Sequence, residues 1–317
     1  MNFIDKVKEI AKNNKKKIIV TEAYDERVLN AVKEVVSEGF ADMIIIGSEV
    51  VEGATTINPI YSNNLDKFTK DLYELRKDKG MTLEEARNLL INDNMYFACM
   101  MVKNGLADGI VSGAAHTSAN TIRPALQIIK AKEESKLVSA IFLMDIPGYN
   151  NIFLFGDCAL NPNPTSLELA YIAIESSKTY KKLVGNEPIT AMLSYSSFSS
   201  AKGELVDKVS EAVKIAKSLN NNLIIDGEMQ LDTAIDTSVA KIKGPNSRVS
   251  GNANVLIFPD LNSGNIGYKL VNRFAKAKAY GPLLQGINNP VNDLSRGSSV
   301  EDIVGTIALT CMQAINR

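Results

Sequence analysis

Hydrophobic positions change their period several times along the chain. Lys17–Val20 is a short apolar run that reads as a strand. Beyond it, Val28, Val32, Val35 and Val36 recur at the spacing of one helix face, Gly39 supplies a stop, and residues 43–46 form a second apolar run. Strand, helix and strand in that order predict a βαβ unit. The alternation returns with a strand at 108–112 and a helix over about 121–132, then with strands at 189–193, 223–225 and 255–258 between helical stretches. Such a succession predicts an α/β protein with mainly parallel sheets covered by helices.

The pattern breaks twice. DIPGYNN, with Pro147 and Gly148, predicts a boundary between two lobes. An irregular stretch at 288–296 precedes a final helix, Val300–Ile315, with Ile303, Ile307, Cys311 and Ile315 on one stripe. That helix is expected to return to the first lobe. The organisation expected is therefore 1–146 plus 294–317 as one lobe and 147–293 as the other. Length agrees, because 317 residues exceed the roughly 250–300 at which single cores stop growing.

Composition adds exclusions. With 45% hydrophobic and 22% charged residues the chain folds rather than remaining disordered. Lys+Arg at 35 against Asp+Glu at 36 leave a net charge of -1, so neither nucleic acid nor an anionic membrane is an expected partner. No apolar run suits a signal peptide or membrane span, which predicts a cytoplasmic enzyme. Cys99, Cys158 and Cys311 are far apart and predict reduced, buried thiols. A single histidine excludes a His-rich metal site, and neither a metal nor a tightly bound cofactor is expected.

Candidate chemistry sits in loops at the carboxyl ends of predicted strands, where open α/β sheets bind ligands. GAAHTSANTIRP offers a turn at Gly113, a helix N-terminus that could receive an anion, and Arg123 just beyond. SYSSFSSAKG is rich in hydroxyls and contains Ser199 and Lys202, while PDLNSGNIGYK leads into a helix and contains Asn265. Three such loops together point to an anion-binding cleft. Arg296, one of eight arginines, lies among small residues in NDLSRGSS; it suits a phosphate or pairs with Asp293. Asp302 forms a capping box with Ser299, or is free for chemistry if Ser298 and Glu301 form the cap instead. His116 reads as a structural hydrogen-bonding group rather than a base, and Asp226, Glu228, Asp232 and Asp236 as a solvated acidic face rather than a metal site. Thr82 with Glu85 is a capping box, and Arg76 in ELRKDKG passes as charged surface.

Taken together, SGAAHTSANTIRPALQIIK, DCALNPNPTSLELAYIAI, MLSYSSFSSAKG, IFPDLNSGNIGYK and GPLLQGINNPVNDLSRGSSVEDIV resemble phosphate acetyltransferases of the phosphate acetyl/butyryltransferase family. The resemblance spans nearly the whole chain. It implies two α/β/α lobes with the site in a cleft between them, a homodimer, and reversible conversion of acetyl-CoA and orthophosphate into acetyl phosphate and coenzyme A. By position it implies Asp302 as catalytic base, Ser295 and Arg296 as catalytic-loop residues, and Arg123 and Arg76 as CoA ligands. Ser199, Lys202 and Asn265 join them as substrate-binding candidates.

The implied chemistry has a physical rationale. A thiol of pKa about 8.5 carries little thiolate at neutral pH, so a positioned base helps. Ordinary aspartate, near pKa 3.9, is mismatched to such a thiol, so the site must desolvate the carboxyl or make transfer concerted. Ser295 would donate to the developing oxyanion and Arg296 would hold the departing phosphate, with no acyl-enzyme. Alternatives are a phosphate butyryltransferase, a metal-dependent decarboxylating dehydrogenase using Asp232 and Asp236, and a non-catalytic CoA or acetyl phosphate sensor.

Overall fold

A computed structural model describes residues 2–316. The chain falls into two compact units, one built from the chain up to Lys132 and again from Ile287 onward, the other from Glu133–Gly286.

The first unit opens with α1 (Phe3–Asn13), β1 (Lys17–Val20), α2 (Glu26–Glu38), β2 (Asp42–Ile46) and β3 (Thr55–Ile57). It continues with α3 (Leu65–Arg76), α4 (Leu83–Asn92), α5 (Asn94–Lys103), β4 (Gly109–Ser112) and α6 (Ser118–Ile128). Asp25 caps α2 and Gly39, at φ 71°, ends it, as the valine stripe and its glycine predicted. Thr82 and Glu85 close the expected capping box on α4.

The second unit comprises β5 (Ser139–Asp145), β6 (Ile152–Gly156), α7 (Ser166–Val184), β7 (Thr190–Leu193), α8 (Glu204–Leu219) and β8 (Ile225–Met229). After them come α9 (Leu231–Ile235), α10 (Thr237–Lys243), β9 (Val255–Ile257), α11 (Leu261–Phe274) and β10 (Lys278–Gln285). Its strands are ordered β10-β5-β6-β9-β7-β8. The β6–β9, β9–β7 and β7–β8 pairs are parallel, whereas β10–β5 and β5–β6 are antiparallel. DIPGYNN is thus the turn of the β5–β6 hairpin, inside the second unit. Proline and glycine serve a reversal of the chain there, which from sequence looks the same as a linker.

The chain then returns through β11 (Val291–Asp293) and α12 (Val300–Ile315). The first unit's sheet runs β3-β2-β1-β4-β11 with every pair parallel. Pairing of β11 with β4 draws residues from Ile287 onward into the first unit, earlier than position 294. The stretch expected to be irregular therefore contains a buried strand, too short to register as a periodic run. Because the five strands are parallel, their carboxyl ends share one edge. The segments beginning at Thr21, Gly113 and Leu294 leave from it.

Candidate active site

Ser295 and Arg296 lie exposed in the loop between β11 and α12. Locally, the Ser298 amide donates to the Ser295 carbonyl at 2.9 Å and the Gly297 amide to Ser295 Oγ at 3.3 Å. Ser299, not Ser298, caps α12. Its Oγ accepts from the Asp302 amide at 3.2 Å, while its own amide and hydroxyl both donate to Asp302 Oδ2 at 2.9 Å. Oδ1 has no hydrogen-bond partner among the described residues. One oxygen of Asp302 thus serves the helix and the other is free.

The Arg296 guanidinium has no partner among the described residues, and Asp293 does not pair with it. Asp293 is 1% exposed at the end of β11 and accepts from Thr121 Oγ1 at 2.7 Å. Its Oδ2 is buried without a hydrogen bond of ordinary geometry, although the Ser118 hydroxyl is close enough to stabilise the charge. Burial raises the Asp293 pKa, against the lowering effects of Ser118, Thr121 and His116. Gly113, at φ 107°, lies against this carboxylate; a Cβ there would collide with the Asp293 side chain and sit 2.8 Å from the Leu294 amide nitrogen.

Arg76 ends α3 and Arg123 is exposed on α6. Both guanidinium groups lie near enough to Tyr96 to pull its phenol pKa down, though burial leaves it raised overall. Arg76 borders an open cavity of about 540 Å³ with Lys79, Gly80, Met81 and Asn88, and its Nε is buried without a partner. Sequence reading alone assigned Arg76 to charged surface. Only its tertiary surroundings distinguish it.

The three loops read together as an anion-binding cleft each hold a carboxylate of the protein's own. Glu22, 2% exposed after β1, accepts from the amides of Gly113 and Ala114 at 2.8 and 3.0 Å through Oε2, and from Ala115 at 2.8 Å through Oε1. Glu228, also 2% exposed, accepts from the Ser199 amide at 2.7 Å and from the hydroxyls of Ser196 and Ser210 at 2.9 and 2.6 Å. Burial pushes the Glu228 pKa up, but the donors from Ser210, Ser199 and Ser196 outweigh it and leave it below the ordinary value. At α11, Asp260 accepts from the Ser263 amide at 2.9 Å. Glu22 takes the amides ahead of α6 and leaves the helix's own N-terminus without a side-chain cap, whereas Glu228 draws in the hydroxyls of the second loop and Asp260 caps α11.

In the second unit, Ser199 stands at φ 68° with its hydroxyl unpartnered, and Lys202 is exposed without a partner among the described residues. Asn265 donates to the Cys158 carbonyl at 3.1 Å, leaving its Oδ1 free. His116 is held at both ring nitrogens, Nε2 lying 3.1 Å from Ser112 Oγ and 3.4 Å from Glu22, and Nδ1 3.1 Å from the Thr117 carbonyl. The acidic group is not one solvated face. Asp226 pairs with Lys217, Asp232 with Lys243, Asp236 caps α10, and Glu228 is buried. Sequence reading missed Glu22 and Arg27 and placed the buried Glu228 on a solvated face. Their only signal was position at a strand end or helix start.

A parallel sheet whose carboxyl-edge loops present a free arginine, a free hydroxyl and a free carboxylate oxygen defines an α/β enzyme that handles anionic substrates. Over residues 2–311 the chain matches the model of the phosphate acetyl/butaryl transferase family, and it belongs to that family. It is 52% identical to a phosphate acetyltransferase of Thermoanaerobacterium thermosaccharolyticum, with 99% of this chain and 100% of the relative covered. A phosphate acetyltransferase of Clostridium acetobutylicum is 50% identical, with 99% of each chain covered. The structure of a phosphotransacetylase from Streptococcus pyogenes superposes with a TM-score of 0.92 at 44% identity, covering 99% of this chain and 98% of that one.

Proposed function

We propose that this chain is a phosphate acetyltransferase, reversibly moving an acetyl group between acetyl-CoA and orthophosphate. The observation that carries the reading is end-to-end similarity to phosphate acetyltransferases in a chain whose β11–α12 loop leaves the Ser295 hydroxyl proton, the Arg296 guanidinium and one oxygen of Asp302 without a partner among the described residues. In thioester formation the CoA S–H proton passes to Asp302 Oδ1 as sulfur attacks the acetyl carbonyl carbon, the transfer being concerted. The Ser295 hydroxyl donates to the carbonyl oxygen as it becomes an oxyanion. The carbon–oxygen bond to phosphate then breaks, phosphate leaves with the electron pair, and Arg296 binds it bidentately. No acyl-enzyme forms, and the buried cysteines take no part.

Arg123 and Arg76 bind the phosphates of coenzyme A, a role supported by their common proximity to Tyr96 and by the cavity beside Arg76. Lys202, the Ser199 hydroxyl and Asn265 Oδ1 are free to contact substrate. Asp232 and Asp236 are engaged by Lys243 and by the α10 amides, which disfavours the dehydrogenase reading in which they hold a metal. The protein works as a homodimer: Ile266, Leu270 and Phe274, spaced four apart on α11, are 58%, 50% and 84% exposed and form an apolar stripe suited to a second copy. Three buried free thiols suit the reducing cytoplasm. Among the described residues no helix is long and apolar enough to cross a membrane.

The deciding experiment follows thioester absorbance when purified protein meets acetyl phosphate and CoA without added metal or nicotinamide. Turnover is expected; its absence refutes the reading and favours a sensor. Acetyl phosphate should exceed butyryl phosphate in kcat/KM by roughly tenfold to a few hundredfold, the range an apolar pocket achieves. Reversed preference would make the chain a butyryltransferase.

A further inference from the structure

Arg27 has no assigned part in the chemistry, yet its bonds converge on the loop that does. It is the second residue of α2, and each of its five side-chain N–H groups has an acceptor. Nε and Nη2 donate to the two oxygens of Asp25 at 3.1 and 2.6 Å. Nη2 also donates to the Ala114 carbonyl at 2.8 Å, in the loop that leaves β4. Nη1 donates to the carbonyls of Arg296 and Ser298, both at 2.9 Å. One planar group therefore ties α2, the β4 loop and the β11–α12 loop together.

We infer that Arg27 is a positioning residue, fixing the Arg296–Gly297 and Ser298–Ser299 peptide units so that the Arg296 guanidinium and Ser295 hydroxyl meet substrate in one orientation. The inference rests on the proposed acetyl transfer. Glycine at 297 leaves that backbone permissive, and the loop's other hydrogen bonds, Ser298 to Ser295 and Gly297 to Ser295, are local. They shape the turn without anchoring it. Arg27 supplies the anchor, and its own position is fixed by the Asp25 carboxylate, whose pKa is lowered chiefly by its hydrogen bond to Arg27 and which also caps α2. Lysine cannot substitute, because a single ammonium lacks the fork that reaches two carbonyls on one side and a carboxylate and a third carbonyl on the other.

The test compares Arg27→Lys and Arg27→Ala with the full-length wild-type chain. Both should keep native circular dichroism and bind CoA within about twofold of wild type, since Arg76 and Arg123 are untouched. Their kcat should fall on the order of 10²-fold, the usual consequence of misplacing a reacting group by about 1 Å, with KM for acetyl phosphate rising. Low, non-denaturing guanidinium should restore part of the Arg27→Ala rate and none of the Arg27→Lys rate. Hydrogen exchange at the amides of Gly297 and Ser299, which belong to the two peptide units that Arg27 holds, reads the loop independently of turnover and should accelerate in both variants. Unchanged exchange and unchanged kcat in Arg27→Lys overturn the inference. So does a loss that falls equally on CoA and acetyl phosphate and tracks stability alone. Should the wild-type chain transfer no acetyl group, the proposed function fails, while loop exchange still decides whether Arg27 anchors the loop. If Arg27→Ala does not fold, Arg27→Lys carries the test alone.

Discussion

Replacing Asp302 by Asn separates the capping role of one carboxylate oxygen from the base role proposed for the other. The asparagine carbonyl can accept the two Ser299 donors now 2.9 Å from Oδ2, while an NH₂ takes the place of the free Oδ1. Helix capping is then largely kept, and loss of the negative charge near the α12 N-terminus costs about 0.3–1 kcal/mol. The base is lost outright, so kcat should fall on the order of 10²- to 10⁴-fold, or about 2.7–5.4 kcal/mol of barrier at 1.36 kcal/mol per decade. Ser299→Ala does the reverse. It removes the acceptor of the Asp302 amide at 3.2 Å and one donor to Oδ2, costing about 1 kcal/mol, while the Ser299 amide still holds the carboxylate. Its melting temperature should drop by roughly 2–4 °C with kcat within a few-fold of wild type. Both variants are measured by thioester absorbance and by thermal melts. An Asp302→Asn enzyme that turns over at the wild-type rate and merely melts earlier refutes the base assignment. His116, already engaged at both nitrogens, is then the next residue to replace.

Arg123→Ala and Arg76→Ala should raise KM for CoA much more than KM for acetyl phosphate; an unchanged CoA KM in Arg76→Ala returns that residue to the surface. Asp293→Asn should be more stable than wild type at neutral pH. Burial raises the folded-state pKa of Asp293, so its favourable contribution is complete below the unfolded value of about 3.9 and is lost as pH rises through the folded one. The stability gap should therefore open above about pH 4 and flatten past the folded pKa, and a pH-independent gap in urea melts contradicts this assignment. Burial pushes the thiols of Cys99 and Cys158 well up and that of Cys311 to about 12, so alkylation of native enzyme should be slow and leave activity intact. Rapid inactivation with stoichiometric labelling would contradict a mechanism without cysteine. Leu270→Lys with Phe274→Glu should convert a dimer into monomers by light scattering, and an unchanged mass removes α11 from the interface.

How much of this was legible in sequence depended on whether the signal was local. The β1–α2–β2 unit and α12 were read almost residue for residue, because a valine or isoleucine stripe with a cap at one end is a local pattern. Antiparallel β5, β6 and β10 were not, since their apolar runs match those of buried parallel strands and only the partner gives direction. β8 was expected at 223–225 and begins at Ile225, because the last apolar residues of the preceding turn resemble a strand start. The candidate residues of the β11–α12 loop came from resemblance. Their bonding was not legible: two overlapping capping boxes were written in the sequence, and the one between Ser299 and Asp302 forms.

The least legible feature was the occupant of each glycine- or serine-rich loop. A loop of small residues ahead of a helix announces backbone amides in need of an anion, and nothing local says whether that anion is a ligand. Glu22 lies 91 residues from Gly113 and Glu228 lies 29 from Ser199, so neither pairing could be read from spacing. The consequence reaches the chemistry. Loops already filled by carboxylates hold their shape before substrate arrives and have no amides of that set left to offer a phosphate. In the function proposed above a phosphate is met by side chains that remain free, such as Arg296 and Arg123 in the first unit.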